Sequence, residues 1–237
     1  MRPLAALLLR GPAALLRLRP AAALLLLGLA ACGPAGTPSV VTLGDSVAAG
    51  AACGCQPFPA LYASAQHATN VDLAQSGADS ADVRALVPLS KPALAAAAEV
   101  VIMVGANDMA ADFEKPASYP SVAAAVRTNV TATITAIEQI HHVRVIVLGY
   151  WNVVLDGRVA ATKYGPTGVR ASLTATDTVN EALRTAAQQT GARYVPTAPA
   201  FHGPDGTQDP TGSLAPDGDH PNANGQAAIA ALIPPLP

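Results

Sequence analysis

The sequence predicts an α/β domain, a three-layer α/β/α sandwich built on a five-stranded parallel sheet. Three observations lead there. Short β-branched or apolar runs at residues 40–43, 70–74, 100–104, 143–148 and 192–195 alternate with helical stretches, the pattern of a parallel sheet with helical crossovers. The run at 100–104 is apolar at every position, as in a strand covered on both faces. With 237 residues, 51% of them hydrophobic, the chain can bury one sizeable core without a second domain.

The N-terminal segment stands apart in composition. Arg2, Arg10, Arg17 and Arg19 precede the first acidic residue, Asp45; residues 21–29 are apolar, and small residues follow. That is the organisation of an export signal, and its apolar core is too short for a membrane span. Leu29-Ala30-Ala31-Cys32 resembles a lipobox, so residues 1–31 are expected to be a lipoprotein-type signal peptide with Cys32 the lipidated residue. Three cysteines leave one odd thiol in an oxidising compartment, and lipidation of Cys32 would remove it. The alternative is a plain secretory signal cleaved nearby. Residues 32–38, rich in Gly and Pro, form a flexible tether, and the folded domain runs over 39–237. The expected location is outside the cell, as a cell-envelope lipoprotein or a secreted protein. Without the four leader arginines, ten basic residues face sixteen acidic ones, with no basic stripe, which argues against nucleic acid as a partner. Membrane contact is expected only through the N-terminal lipid anchor, and the domain is expected to be a monomer.

In chain order, the first strand runs directly into Gly44-Asp45-Ser46 and puts a hydroxyl on the turn where a buried strand ends. Cys53 and Cys55 could close a tight local disulfide; two cysteines without a histidine at ligand spacing give a zinc site poor support. A helix is expected over 59–66, with Leu61 and Tyr62 toward the sheet. The second strand ends in Gln75-Ser76-Gly77-Ala78 before a small helix that begins near Ser80, and an alanine-rich helix is expected over 92–99. The apolar strand 100–104 ends in Gly105-Ala106-Asn107-Asp108, so Asn107 joins Ser46 and Gly77 at one edge of the sheet.

Helix 121–140 carries Val122, Val126, Val130, Ile134, Ile137 and Ile140 as a core stripe. His141 and His142 at its end read as ordinary terminal residues. The fourth strand leads into Gly149-Tyr150-Trp151-Asn152 and a long loop to Gly168, expected to wall or lid the site. Trp151 suits either that wall or the core. Helix 173–189 should stop at Gly191. After the fifth strand, Asp217-Gly218-Asp219-His220-Pro221-Asn222 precedes a last alanine-rich helix to about Leu232, which Asn222 can cap.

Together, Gly44-Asp45-Ser46, Gly77, Gly105-Ala106-Asn107-Asp108 and Asp217-Gly218-Asp219-His220-Pro221 resemble the four blocks of the SGNH hydrolases, the GDSL-type esterases and lipases. They stand in family order, and the resemblance covers the chain from Ser39 onward. Val47 replaces the leucine of the name. Cys53-Gly54-Cys55-Gln56-Pro57-Phe58 resembles an insertion of exported actinobacterial members. The resemblance implies a flavodoxin-like sheet order and a serine hydrolase acting on carboxylic esters, short-chain acyl or O-acetyl esters favoured, small esters or acylated glycans being the substrates.

It also implies Ser46 as nucleophile, His220 as base and Asp217 as the acid that orients the ring. The oxyanion hole would be the backbone N–H groups of Ser46 and Gly77 with the amide of Asn107. This suits the chemistry: a serine hydroxyl attacks an ester only as a base takes its proton, and fixed donors must await the oxyanion. Asp45 and Asp108 read as turn braces, and Asp219 as a solvated turn residue pointing away. No metal and no cofactor is expected. The α/β-hydrolase alternative needs Gly-x-Ser-x-Gly, and Ala48 breaks it. An acyltransferase on the same scaffold and a non-catalytic binding lipoprotein are the competing functions.

Overall fold

The computed structural model describes residues 36–237. The expected signal peptide, Cys32 and most of the tether lie outside the described residues. Five parallel strands form one sheet in the order β2-β1-β3-β4-β5: β1 Ser39–Gly44, β2 Thr69–Asp72, β3 Glu99–Met103, β4 Arg144–Leu148 and β5 Arg193–Val195. The three central strands are buried almost throughout, while the edge strands β2 and β5 are largely open, which accounts for their weaker apolar pattern.

Two helical layers cover the sheet. On one face α1 (Phe58–Ala65) packs against α8 (Ala223–Leu232). On the other, α5 (Tyr119–Ile140) packs along α6 (Gly157–Thr190), with α2 (Ser80–Leu86) and α3 (Lys91–Ala95) against α5. Short helices α4 (Ala106–Ala110) and α7 (Ala198–His202) follow β3 and β5. The α5 stripe buries Val126, Val130, Ile134 and Ile137, with Val122 and Ile140 half-buried at its ends. Among the described residues no helix is long and apolar enough to cross a membrane.

Three expectations need correction. The helix expected over 92–99 stops at Ala95, and Glu99 opens β3. A charged residue tolerates that fully buried position because the Tyr62 hydroxyl lies 2.7 Å from Glu99 Oε1 and Arg144 pairs with Oε2. Second, most of the stretch expected as loop to Gly168 is helix: α6 starts at Gly157, breaks at Gly165-Pro166 and resumes, so the true loop is only residues 149–156. Gly165 and Pro166 read as loop residues because they end one helical run and open the next. Third, on α1 Tyr62 is buried while Leu61 is only half-buried.

β1 and β3 end together at the paired residues Gly44 and Met103, where their approach is close. At Gly44 an added Cβ would stand 2.6 Å from the Met103 carbonyl oxygen, so only glycine lets β1 close against β3 where the chain leaves the sheet. The Asp45 N–H then donates to that same oxygen at 3.1 Å, and the chain turns upward.

At the opposite end, Arg144 also donates to the carbonyl of Pro235 at 2.7 Å, tying the C-terminal tail to the sheet. Burial holds the Glu99 carboxyl above its usual range, against the lowering effect of Tyr62 and Arg144. The folded state therefore keeps this proton to higher pH than the unfolded chain, and the group's contribution to stability falls as pH rises through that window. Arg144→Met strands the carboxylate and should cost about 3 kcal/mol near neutral pH. Because the carboxyl can then be neutralised by protonation, the loss should shrink in acid. Urea denaturation at both pH values measures it; an equal loss at both would show that Glu99 is not the group left unpaired.

Candidate active site

The turn after β1 is pinned from beneath. Asp45 is buried, accepting the Val47 N–H at 3.0 Å on one carboxylate oxygen and the Tyr150 hydroxyl on the other. Burial pushes its pKa up to about 6, against the lowering effects of Tyr150, the Val47 N–H and nearby His220. The partner hydroxyl is raised too, by burial first and by the Asp45 charge second. Tyr150 is fixed in turn by Asn180, whose side-chain oxygen takes the Tyr150 N–H at 2.8 Å while its Nδ2 donates to the Tyr150 carbonyl at 2.8 Å. From the other side Gln226 of α8 accepts the Phe58 N–H at 2.7 Å and donates to the Val47 carbonyl at 3.0 Å. Asp45 thus braces the turn, as expected.

Ser46 sits half-buried on that turn, and His220 Nε2 lies 2.9 Å from its Oγ. The other ring nitrogen, Nδ1, lies 2.8 Å from Asp217 Oδ2. Asp217 Oδ1 accepts the N–H groups of Asp219 at 3.0 Å and His220 at 3.1 Å, folding the carboxylate back onto its own turn. Burial alone would raise the Asp217 carboxyl, but these N–H groups and the His220 ring outweigh it and hold it below the usual range. The turn requires Gly218, whose φ is +75° and where a Cβ would meet Val159 at 2.4 Å. The Gly218 carbonyl accepts the Asp156 N–H at 2.7 Å, and Asp156 caps α6 through Gly157 and pairs with His202 at 2.7 Å. Downstream, Asn222 accepts the N–H groups of Asn224 and Gly225 and caps α8.

Asn107 and Asp108 lock the neighbouring turn. Asn107 Nδ2 donates to the Ala78 carbonyl at 2.8 Å. Asp108 accepts both the N–H and the hydroxyl of Ser80, at 2.8 and 2.5 Å. The same hydroxyl takes a bond from Asn129 of α5 at 3.0 Å. These bonds hold Gly77, with φ +85°, at a fixed distance from α4. Among the described residues, the N–H groups of Ser46 and Gly77 have no protein acceptor. One N–H of the Asn107 carboxamide is spent on Ala78, and the second is free.

The cleft above Ser46 and His220 measures about 240 Å³ and is shared by Asp45, Asn107, Tyr150 and Asp219. Its apolar side comprises Val47, Val153, Val154, Leu155 and the Phe113 and Tyr164 rings, whose centroids lie 4.9 Å apart. Residues 152–155 form a wall stapled to α6: the Val153 N–H donates to Thr176 Oγ1 at 3.1 Å, and Asn152 reaches Ser172 at 3.3 Å. Trp151 belongs to the core, stacked on Phe201 at 4.0 Å. Asp219 departs from expectation: it faces into the cleft because Asp217, by taking the N–H groups of the turn, occupies the outer side. His141 and His142 are exposed at the end of α5, and neither takes part in these bonds. Cys53 and Cys55 are joined as a disulfide, Cα atoms 5.0 Å apart. Tyr150, Asn180 and Gln226 were not among the residues singled out by motif, since a tyrosine, an asparagine and a glutamine on separate elements carry no local signal.

The family model described as the GDSL-like lipase/acylhydrolase family matches residues 42–228. No curated protein sequence matches the chain. Solved structures share the fold at low identity. A lipase from a goat rumen metagenome superposes with a TM-score of 0.66 at 17% identity, covering 82% of this chain and 95% of its own. Phospholipase A1 from Streptomyces albidoflavus gives 0.64 at 21%, covering 83% and 100%. An acetylxylan esterase from Geobacillus stearothermophilus gives 0.61 at 17%, covering 82% and 91%. The family match takes in the end of β1, all of β2 to β5 and both the Gly-Asp-Ser and Asp-x-x-His turns, and the chain accordingly belongs to the GDSL-like lipase/acylhydrolase family of carboxylic ester hydrolases.

Proposed function

We propose that this protein hydrolyses short-chain carboxylic esters, O-acetyl esters among them, through an acyl-enzyme on Ser46. The observation that carries the reading is the unbroken chain Asp217, His220, Ser46, with contacts of 2.8 and 2.9 Å, ending at a cleft of about 240 Å³. That volume suits an acetyl or short acyl group better than a long chain, since sites for drug-sized ligands begin near 300 Å³.

His220 Nε2 takes the Ser46 proton as Oγ attacks the ester carbonyl, and Asp217 on Nδ1 fixes the tautomer and stabilises the imidazolium. The tetrahedral oxyanion is met by the N–H groups of Ser46 and Gly77 and the spare N–H of Asn107. Losing one such donor typically costs 10²–10³ in kcat. His220 then returns the proton to the leaving alcohol, and water repeats the sequence on the acyl-enzyme.

An exported lipoprotein remains our reading of the leader, supported by the Leu29-Ala30-Ala31-Cys32 box and by a disulfide at Cys53 and Cys55, which suits an oxidising compartment. Membrane fractionation after Cys32→Ser should move the protein to the soluble fraction; unchanged association would refute lipid attachment there.

Ser46→Ala should abolish hydrolysis of p-nitrophenyl acetate and labelling by a fluorophosphonate while leaving far-UV circular dichroism unaltered. His220→Ala should be nearly as severe. Turnover retained by Ser46→Ala would end the acyl-enzyme reading. Asp45 gives a separate, pH-resolved outcome. Its folded pKa, about 6, exceeds the ordinary 3.8, so the folded state binds the proton more tightly and wild-type stability falls as pH rises between those values. A shift of that size corresponds to about 3 kcal/mol. Asp45→Asn removes this penalty, so its stability relative to wild type should climb by about that amount across the interval in urea titrations. A flat difference would mean that Asp45 is not buried as a titrating acid.

A further inference from the structure

Asp219 has no assigned part in the triad, yet it lines the cleft beside His220 and is half-buried there. Among the described residues, neither a side chain nor a backbone N–H donates to it, and it makes no salt bridge. The contrast within the same turn is sharp: Asp217 accepts three bonds and Asp219 none. A half-buried carboxylate that no protein group meets keeps its full acceptor capacity for a group arriving in the site. Burial already holds its pKa above the ordinary value, although the nearby charges of His220 and Lys163 pull the other way.

What surrounds it narrows the chemistry. Lys163 lines the same cleft, forming no salt bridge with Asp219, and offers a hydrogen-bond donor from the exposed rim. Tyr164, tilted at 47° against Phe113 and with the Lys163 ammonium 5.8 Å from its ring, supplies an aromatic face to the same cleft. An acceptor, a donor and an aromatic face at one rim match an alcohol that carries further hydroxyl groups. The ammonium disfavours a cationic alcohol, and the two charges disfavour a plain alkyl one. Resting on the reading of Ser46 as nucleophile, we propose that Asp219 is a specificity-determining residue that accepts a hydrogen bond from a hydroxyl of the alcohol half, selecting esters of polyols and sugars.

A hydrogen bond to a charged acceptor distinguishes substrates by about tenfold to a hundredfold. The test is the ratio of kcat/KM for glycerol 1-acetate over propyl acetate, two esters of one acid and one chain length that differ only in hydroxyl groups. The wild-type protein should favour the glycerol ester. In Asp219→Leu the ratio should collapse toward unity, and in Asp219→Asn, which keeps an acceptor oxygen, it should fall less. The ratio is internal to each variant, so partial misfolding cancels. Equal losses on both esters with a shifted pH profile would make Asp219 an electrostatic neighbour of His220 and overturn the proposal. A wild-type preference for acetylcholine over its neutral analogue 3,3-dimethylbutyl acetate would overturn it in favour of a cation site. Loss of turnover on every ester in Ser46→Ala, with the ratio unaffected in Asp219→Leu, would leave the nucleophile standing and remove the specificity role; retained turnover in Ser46→Ala would remove the nucleophile itself.

Discussion

The site depends on a buried acid that does no chemistry. Asp45 lies under the turn bearing Ser46, and its two oxygens fix the Val47 N–H and the Tyr150 hydroxyl. One oxygen shapes the backbone that carries Ser46, and the other anchors that backbone to the end of β4, two positions across in the sheet order. Burying a carboxyl there is unfavourable, as its raised pKa records. The fold offsets the cost by making Tyr150 immovable: Asn180 of α6 pairs with both polar groups of the Tyr150 backbone, and an added Cβ at Gly149 would stand 2.2 Å from the Tyr194 hydroxyl. The Ser46 turn is thus tied from β1 to α6 through the Asp45–Tyr150 bond and the Asn180 side chain.

A second brace has the same logic on the other side of Ser46. Asn107 and Asp108 reach back to Ala78 and Ser80, and α5 reinforces them through Asn129. The two turns come from different crossovers, and neither is long enough to hold itself. Donors that must wait in position for an oxyanion gain from this arrangement, because no reorganisation is then required during the reaction. The Asp-x-x-His turn is tied similarly, through Gly218 to Asp156 and onward to His202. Each polar turn at the sheet's edge is therefore held by a carboxylate that accepts backbone N–H groups or a hydroxyl.

The sheet was legible because its central strands are covered on both faces, and coverage forces a continuous apolar run such as Val100 to Val104. Ser46, Asn107 and His220 were legible for a different reason: each follows or precedes a turn whose residues have few substitutes. Tyr150 and Gln226 were not, because their value lies in what they touch 105 and 179 residues away. The α6 boundary was missed at Gly165-Pro166, where local breakers hide two helical segments joined at a kink. Glu99 was missed because its helix-favouring side chain is held in a strand by Arg144 and Tyr62, partners that only the folded chain supplies.

Asp219 is the instructive misreading. By sequence alone, two aspartates flank one glycine ahead of a histidine, and either could face outward. What separates them is the backbone: an aspartate at the first position can accept the N–H groups two and three residues on, and one adjacent to the histidine cannot make those bonds. That asymmetry turns Asp217 outward, hydrogen-bonded and readily ionised, while Asp219 is swung into the cleft without donors. Three carboxyls thus surround one imidazole in three environments. Asp45 is buried with its pKa pushed up to about 6, Asp219 lines the cleft with no protein donor, and Asp217 alone has its carboxyl held below the usual range and is in contact with the ring. That combination of an ionised carboxylate and a ring contact is set by the order of residues in a single turn.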